Sequence, residues 1–459
     1  MLGSSLSVLE AQVSFKFLEM QALEKARRAA LADLKRTLEE LDARLWGQRG
    51  PELVLVDIRS RKVLTAVGEV EIRRRYCRRP DGSMVFPLDE AIGLEPKKRL
   101  SPQLKKLAVS LSCELTYRRA VDVIEEVLGV RFEAQSAHAI VQEIGGHLEE
   151  SEEQLVAAVL DGQIDPEPGE IESKFLITEA DGVTIRLQRE GRQKSAEIKV
   201  SITHDGWERE YGDRYRLKHK FCYAVLGDAE TLWDRAGLGI HARWDLSTVV
   251  RTVVGGDGAE WVKQGLSYLP SAEFQLDEYH ARRRITEAMG NTRLARAVGD
   301  GVVEGRWEQA LEIVGMVREH QPDRKQELDA LSGWIYQNRD ELKDYRLREG
   351  YVPEDARGTG AIESNVDKYV ANRFKKRGRG WTIRGAQNLL HVINQRENGR
   401  LEGGRGEMAR DKSLGGLFDG VEPKRQWPAA GVPLLGIGNN NEPYTRLMRR
   451  IQGGGIPTY

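Results

Sequence analysis

Apolar and polar residues alternate with several different periods along the 459-residue chain. Within residues 1–50, apolar side chains recur every three or four positions, which predicts one long amphipathic helix. This helix either packs against the rest of the chain or pairs with a second copy of itself in a dimer. Over residues 51–95 the period shortens to two, which predicts a β-meander with a hairpin turn at residues 80–83.

Residues 96–150 return to helical spacing in three amphipathic segments. Ser101 followed by Pro102 is typical of a helix start, and Gly129 ends the second segment. A helix, a short turn containing glycine and a further helix are typical of a helix-turn-helix region, whose last helix enters a DNA groove. The same pattern also fits three helices that only pack against one another, and both interpretations stay open.

The rest of the chain predicts an α/β core with a mixed sheet. Apolar strands and helices alternate over residues 165–282, after an acidic, proline-rich linker, and the core resumes over residues 355–400. Residues 283–354 have helical spacing throughout, which predicts an all-helical insertion within the core. The glycine-rich residues 401–459 predict a disordered tail.

Composition narrows the possible partners only slightly. The 70 basic and 71 acidic residues nearly cancel, so what the protein binds depends on where its cations cluster. Three cysteines lie far apart without a CxxC pair, so we expect neither a disulfide framework nor zinc. Because no stretch approaches the roughly 18 consecutive apolar residues of a membrane span, we expect a cytoplasmic protein with no membrane partner.

Two acidic residues have an unusual context. Seven aspartates in the chain precede a glycine, and most of these pairs must be turns, since Asp-Gly suits positive φ angles. Asp181 and Asp257 differ because each is expected to end an apolar strand, where ligand sites of open α/β sheets gather. Glu363 opens a helix after a glycine-rich turn. The glycines around Asp257 (Gly255, Gly256 and Gly258) are expected to leave room for a metal ion and a phosphate.

These three acids suit a catalytic metal site. Two Asp and one Glu can hold two Mg²⁺ ions, with Mn²⁺ as a substitute, for phosphoryl transfer. The alternative is a turn Asp, a strand-end Asp and a helix-terminal Glu without catalytic roles. Asp277 and His280 form a D-x-x-H step, which is either an N-capping Asp with a half-buried His or a support for the acids.

A basic segment follows Glu363 in the sequence. Its predicted DNA-binding residues are Lys368, Arg373, Lys375, Lys376, Arg377, Arg379 and Trp381. Cations of this density suit a phosphate backbone, and the interleaved Tyr369, Phe374 and Trp381 could stack on bases. A solvated basic face is the alternative interpretation.

Several motifs together resemble those of a known family. The motifs are "EADGVTIRLQ", "EIKVSITHDGWE", "GGDGAEW", "LDEYHARRRI" and "GAIESNVDKYVANRFKKRGRGWTIRGAQNLL". They resemble bacterial insertion-sequence transposases of the ISLre type, which are distant relatives of the Mutator-like DDE transposases. The resemblance implies a ribonuclease-H-like core with Asp181, Asp257 and Glu363 as the catalytic, metal-binding triad. The D-x-x-H step at Asp277 and His280 also matches the Mutator-like group.

The resemblance implies a function and its partners. A transposase of this type cleaves insertion-sequence ends and joins them to target DNA by two-metal phosphoryl transfer. The expected partners are the terminal inverted repeats, target DNA and further copies of the chain in a dimer or higher oligomer, at the nucleoid. Two rival hypotheses are a domesticated DNA-binding regulator without catalysis and a nuclease of the same fold without strand transfer.

Overall fold

The computed structural model describes residues 14–376 and 379–400. The chain divides into two compact units, with the boundary between Ile140 and Val141, and each unit is described by itself. The predicted glycine-rich tail lies outside the described residues. Among the described helices, none combines the length and apolar character that crossing a bilayer requires.

The first unit combines a small sheet with helices. Its elements are α1 (Phe15–Gly47), β1 (Val54–Thr65), β2 (Gly68–Arg78), β3 (Met84–Val85), α2 (Pro87–Ala91), α3 (Pro102–Glu114), α4 (Tyr117–Leu128) and the start of α5 (Ala134–Leu160). The three strands pair antiparallel in chain order, which confirms the β-meander. In its predicted turn, the Ser83 amide donates to the Asp81 carboxylate at 2.9 Å.

The helices α3, α4 and α5 follow the predicted pattern closely. The Ser101 hydroxyl accepts the Leu104 amide at the start of α3, and α4 ends at Gly129 with φ 66°. A small apolar core joins the three helices through Leu104, Ile124 and Ala137. This core accounts for the packing of the helices, and the helix-turn-helix interpretation stays a prediction.

The second unit contains the larger sheet. Its strands are β4 (Ile171–Glu172), β5 (Phe175–Arg186), β6 (Ser195–His204), β7 (Trp207–Tyr211), β8 (Arg214–Leu217), β9 (Phe221–Val225), β10 (Trp244–Asp245), β11 (Arg251–Gly256) and β12 (Ala272–Leu276). Five of them form a mixed sheet in the order β12-β11-β5-β6-β9. The strands β5, β6 and β9 are antiparallel neighbours, whereas β11 and β12 run parallel to β5. The predicted mixed sheet is therefore confirmed.

The second unit also contains helices, some of which pack against this sheet. They are α6 (Ala229–His241), α7 (Glu260–Lys263), α8 (Glu278–Met289), α9 (Arg293–Val303), α10 (Trp307–His320), α11 (Lys325–Gln337), α12 (Arg339–Leu342), α13 (Ala361–Val366), α14 (Asn372–Phe374) and α15 (Ile383–Glu397). A π-helical turn, Asp367–Ala371, joins α13 to α14. The helices α8 to α12 follow one another and form the helical block, which agrees with the helical spacing of residues 283–354.

One strand is longer than the sequence suggested. The predicted end of β5 at Asp181 is wrong, because β5 continues to Arg186. Asp181 and Gly182 pair with Val200 and Lys199 of β6, so the Asp-Gly pair lies within a ladder of hydrogen bonds. Pairing with β6 keeps β5 extended beyond Asp181, and the sequence of β5 alone does not show this pairing.

The two faces of the sheet pack differently. Leu176 and Ala180 of β5 belong to the main apolar core, which the helical block extends. On the opposite face, Phe175 and Ile177 pack with Tyr345 in a smaller cluster. Because side chains alternate along a strand, the acids at odd-numbered positions of β5 share the face of this smaller cluster.

Candidate active site

Asp181 lies within β5, and Asp257 directly follows the last residue of the neighbouring parallel strand β11. In the pairing of β11 with β5, Gly255 faces Glu179, a difference of 255 − 179 = 76 positions. The same difference, 257 − 181 = 76, separates the two aspartates, so extending the register by two residues beyond the last pair brings them to the same level. The predicted metal site requires these two carboxylates to lie close together, and their positions at adjacent strands allow it.

A third aspartate continues the row. In the pairing of β11 with β12, Gly255 faces Gln275, a difference of 275 − 255 = 20 positions. Asp277 follows Asp257 by the same 20 positions. The Asp277 amide donates to the Gly256 carbonyl at 2.8 Å, which continues the ladder beyond β12. Extending the registers in this way brings Asp181 in β5, Asp257 after β11 and Asp277 after β12 to one level, and we call these three acids the carboxylate row.

The environment of Asp181 reflects this row. The side chain is half-buried, and its carboxylate accepts the Gly182 amide at 2.7 Å. Burial raises the pKa of Asp181, and the carboxylates of Asp257 and Asp277 raise it further. The Gly182 hydrogen bond and the nearby His280 imidazole lower the pKa and only partly offset these effects. The site therefore concentrates negative charge where a cation would relieve it.

Asp277 and His280 form a closely bonded pair. Asp277 is 3% exposed and caps α8, because its Oδ2 accepts the His280 amide at 3.2 Å. The same oxygen lies 2.8 Å from Nδ1 of the His280 ring. The capping Asp and half-buried His of the simpler interpretation are confirmed, and the pair also stands at the carboxylate row.

Glu363 joins this pair from a distant part of the chain. It lies exposed in the first turn of α13. One ligand atom from each of Asp277, His280 and Glu363 lies within 4.8 Å of the other two. Carboxylate oxygens suit Mg²⁺ and Mn²⁺, and an imidazole favours Mn²⁺ of the two. The donor set therefore fits a divalent cation.

Sequence reasoning missed one acid in this region. Glu179 is 2% exposed and lies two positions before Asp181 on the same face of β5. Its carboxylate accepts the amides of Gly360 at 2.7 Å and of Ala361 and Ile362 at 3.2 Å each. Burial raises the pKa of Glu179 to about 7, although the three hydrogen bonds oppose the shift. The sequence did contain one signal for a role of Glu179, namely a glutamate within an otherwise apolar strand.

The glycines near Asp257 serve packing. A Cβ on Gly255 would lie 3.2 Å from Cγ of Glu179, and one on Gly256 would lie 2.7 Å from a Val262 methyl group. Protein atoms thus occupy the space that these two glycines leave. The prediction that they make room for metal and phosphate is wrong for both. Gly258 has φ +91°, which a turn after β11 requires.

The predicted DNA-binding residues fall into two groups. Lys368, Lys375 and Lys376 are exposed, and Lys376 forms an ion pair with Asp367 at 3.2 Å. Their role in DNA binding stays a prediction. Arg377 lies outside the described residues.

The remaining members of the basic segment stabilise the fold. Trp381 is 8% exposed, and its indole N–H donates to the Phe374 carbonyl at 2.9 Å. The guanidinium of the buried Arg373 lies 4.8 Å from the Trp381 ring centre, and Arg379 donates to backbone carbonyls of Asn372 and Arg373. We therefore correct the prediction for Arg373, Arg379 and Trp381, because these groups are occupied within the protein. The rings of Tyr369 and Phe374 are buried as well.

The fold and site together define a mixed α/β protein with a carboxylate-rich cluster on its main sheet. The sequence profile of the uncharacterised protein family UPF0236 matches residues 8–412. The chain therefore belongs to this family. Neither the family description nor the names of the relatives below mention a transposase, so the resemblance found in the motifs stays a prediction.

Relatives extend over most of the chain. A UPF0236 protein of Streptococcus gallolyticus, named for the region 3′ of vanSb, is 26% identical over 403 residues, covering 86% of each chain. A UPF0236 protein of Caldanaerobacter subterraneus subsp. tengcongensis is 23% identical over 407 residues, covering 87% of this chain and 80% of the relative. The name of the second relative joins eleven locus labels.

Proposed function

We propose that this protein is a DNA transposase that cleaves insertion-sequence ends and joins them to target DNA. The observation that carries the proposal is that the carboxylates of Asp257 and Asp277 lie near enough to Asp181 to raise its pKa, at the ends of the two strands that run parallel to β5. Glu363 lies close to Asp277 and His280, with one ligand atom of each residue within 4.8 Å of the other two. Asp277 and His280 belong to both groups of residues, and acids from distant segments that gather around one pair favour a functional site over unrelated turn residues.

The topology supports a ribonuclease-H-like core within this proposal. Three antiparallel strands, β5, β6 and β9, are followed in the chain by two parallel strands, β11 and β12. The helical block then precedes Glu363, so the last acid returns to the sheet after a long insertion. This order agrees with the family resemblance, in which a helical insertion precedes the last acid of the triad.

The residues of the site have separate roles in the proposed reaction. Asp181, Asp257 and Glu363 would hold two Mg²⁺ ions, which supply an activated oxygen nucleophile and stabilise the leaving oxygen of phosphoryl transfer. Asp277 fixes the orientation of the His280 ring beside Glu363. The exposed Lys368, Lys375 and Lys376 would contact the phosphate backbone, and α5 would bind the terminal repeats.

The name of one relative supports the interpretation that proteins of this family belong to mobile DNA elements. It joins eleven locus labels, and another relative from the same organism has a name that joins four. A gene repeated many times within one genome is what transposition produces. By the same reasoning we propose that the present chain belongs to a mobile element and acts at the nucleoid.

A strand-transfer assay tests the proposal. Labelled duplexes taken from the DNA on either side of the reading frame are incubated with the full chain, a plasmid target and Mg²⁺. We expect cleavage at the element ends and labelled joined products, both lost when EDTA removes the metal ion. Cleavage without joining would favour the nuclease, and specific binding without cleavage would favour the DNA-binding regulator.

A further inference from the structure

We infer that Glu179 is a positioning residue. Its carboxylate holds the first turn of α13 and thereby fixes Glu363 beside Asp277 of the carboxylate row. The inference rests on the proposed function, because it assigns to Glu363 the role of a metal ligand. Glu179 opens the motif "EADGVTIRLQ", but neither the motif nor the family resemblance gave this side chain a role.

The helix α13 has no capping side chain of its own. Gly360 occupies the N-cap position with φ +121°, and no side-chain hydrogen bond from this residue supports the helix. The first amides of a helix lack partners within the helix and need acceptors from elsewhere. Glu179 supplies them from 181 residues earlier in the sequence, through three hydrogen bonds.

These hydrogen bonds determine where Glu363 lies. The bonded amides of Gly360, Ala361 and Ile362 immediately precede Glu363 in the same helical turn. Glu179 itself belongs to β5, and Asp181 follows it by two positions, about 7 Å along the strand. One strand therefore carries one acid of the triad and fixes the position of another.

The surroundings of Glu179 favour positioning over direct metal binding. Its two oxygens already accept three amide hydrogens, so most of their lone pairs are used within the protein. Gly255 leaves space for the side chain, since a Cβ there would lie 3.2 Å from Cγ of Glu179. The helix N-terminus stabilises negative charge on the buried carboxylate. The buried carboxylate is thus held by three backbone amides.

Hydrogen exchange tests the first half of the inference without reference to function. In Glu179→Gln an amide NH₂ replaces one oxygen and opposes the helix amides, so we expect residues 360–362 to exchange about tenfold faster. The matched control, Glu287→Gln, changes an exposed acid of α8 and should leave this segment unchanged. Unaltered exchange in the Glu179 variant would overturn the inference.

Mn²⁺ affinity tests the second half. We expect Glu179→Gln and Glu363→Gln each to weaken Mn²⁺ binding about tenfold, measured by electron paramagnetic resonance of the free ion. Because Glu179 acts through Glu363, the double variant should bind no more weakly than Glu363→Gln alone. Additive losses would show that Glu179 acts independently and would overturn the positioning role.

The outcomes separate this inference from the proposed function. If the unmodified chain binds no Mn²⁺, the proposed metal site is wrong, and the exchange result still decides whether Glu179 caps α13. If the unmodified chain binds Mn²⁺ and Glu179→Gln binds it equally well, only the inference is wrong. Should Glu179→Gln fail to fold, Glu179→Asp keeps the charge, shortens the reach and should weaken binding in the same way.

Discussion

At the residue scale, the carboxylate row places like charges close together. Burial and the neighbouring acids both disfavour the ionised form of Asp181, which raises its pKa. An acid with a raised pKa destabilises the fold as the pH rises above its unfolded pKa, and the full penalty is present once the pH exceeds the raised pKa of the folded state. Such a penalty is typical of functional sites, where a bound cation offsets it.

Removing this charge should therefore stabilise the protein when no metal is bound. We expect Asp181→Asn to raise the melting temperature by about 2–4 °C in EDTA at pH 7, measured by calorimetry. Mn²⁺ should then stabilise the unmodified protein but not the variant. The control Asp161→Asn, at an exposed Asp-Gly pair, should change neither value. A lower melting temperature for Asp181→Asn would contradict the repulsion between these acids.

A second buried group predicts a dependence of stability on pH. Burial lowers the pKa of His204 to about 4, so the folded protein holds the ring neutral. Its contribution to stability is complete above the unfolded pKa of 6.5 and is lost as the pH falls towards 4. The total loss is about 3 kcal/mol. Urea unfolding at pH 7 and pH 5 should show about 2 kcal/mol of this loss, and His204→Asn should reduce it. Equal pH dependence in the two proteins would contradict this assignment.

At the element scale, local patterns predicted the element ends that depend on short-range hydrogen bonds and missed an end that depends on pairing with another strand. The caps at Ser101 and Gly129 and the turn at Asp81 follow from short-range hydrogen bonding, which the sequence encodes directly. The continuation of β5 past Asp181 depends on pairing with β6. The hairpin of β7 and β8 was not predicted, although its strands pair across a tight turn.

The basic segment divides into structural and exposed residues, and substitutions should separate them. Trp381→Ala removes a buried ring that packs against Phe374, so we expect a loss of about 3–5 kcal/mol in denaturant unfolding. Lys375→Ala changes an exposed side chain and should alter stability by about 0.5 kcal/mol or less. A Trp381→Ala variant of normal stability would return this residue to the predicted DNA-binding group.

At the scale of the whole molecule, the site depends on contacts that no single segment contains. The sequence named Asp181, Asp257, Asp277, His280 and Glu363, and extending the registers of three strands brings the aspartates to the same level. Glu179 was missed because its partners lie 181 residues later in the chain. The burial of Trp381 was missed because charge density along a sequence does not show which side chains face inward.

The near-neutral chain should bind DNA through local clusters of cations. Each lysine that neutralises a phosphate adds about 0.9 to the slope of log affinity against log salt concentration. Replacing Lys368, Lys375 and Lys376 by alanine should reduce that slope by about 2–3 in fluorescence anisotropy. The matched control replaces three exposed cations of the helical block, Arg293, Arg296 and Lys325. An equal reduction in the control would mean that DNA binds without preference for the segment after Glu363.

The most direct test of the central claim is DNA cleavage by Asp257→Asn. This substitution removes one charge from the middle of the carboxylate row and keeps the size of the side chain. We predict that Mg²⁺-dependent cleavage of duplexes carrying the element ends falls by a factor on the order of 10³. Asp161→Asn, another change within an Asp-Gly pair, should cleave normally. Full cleavage by Asp257→Asn would contradict the proposed site.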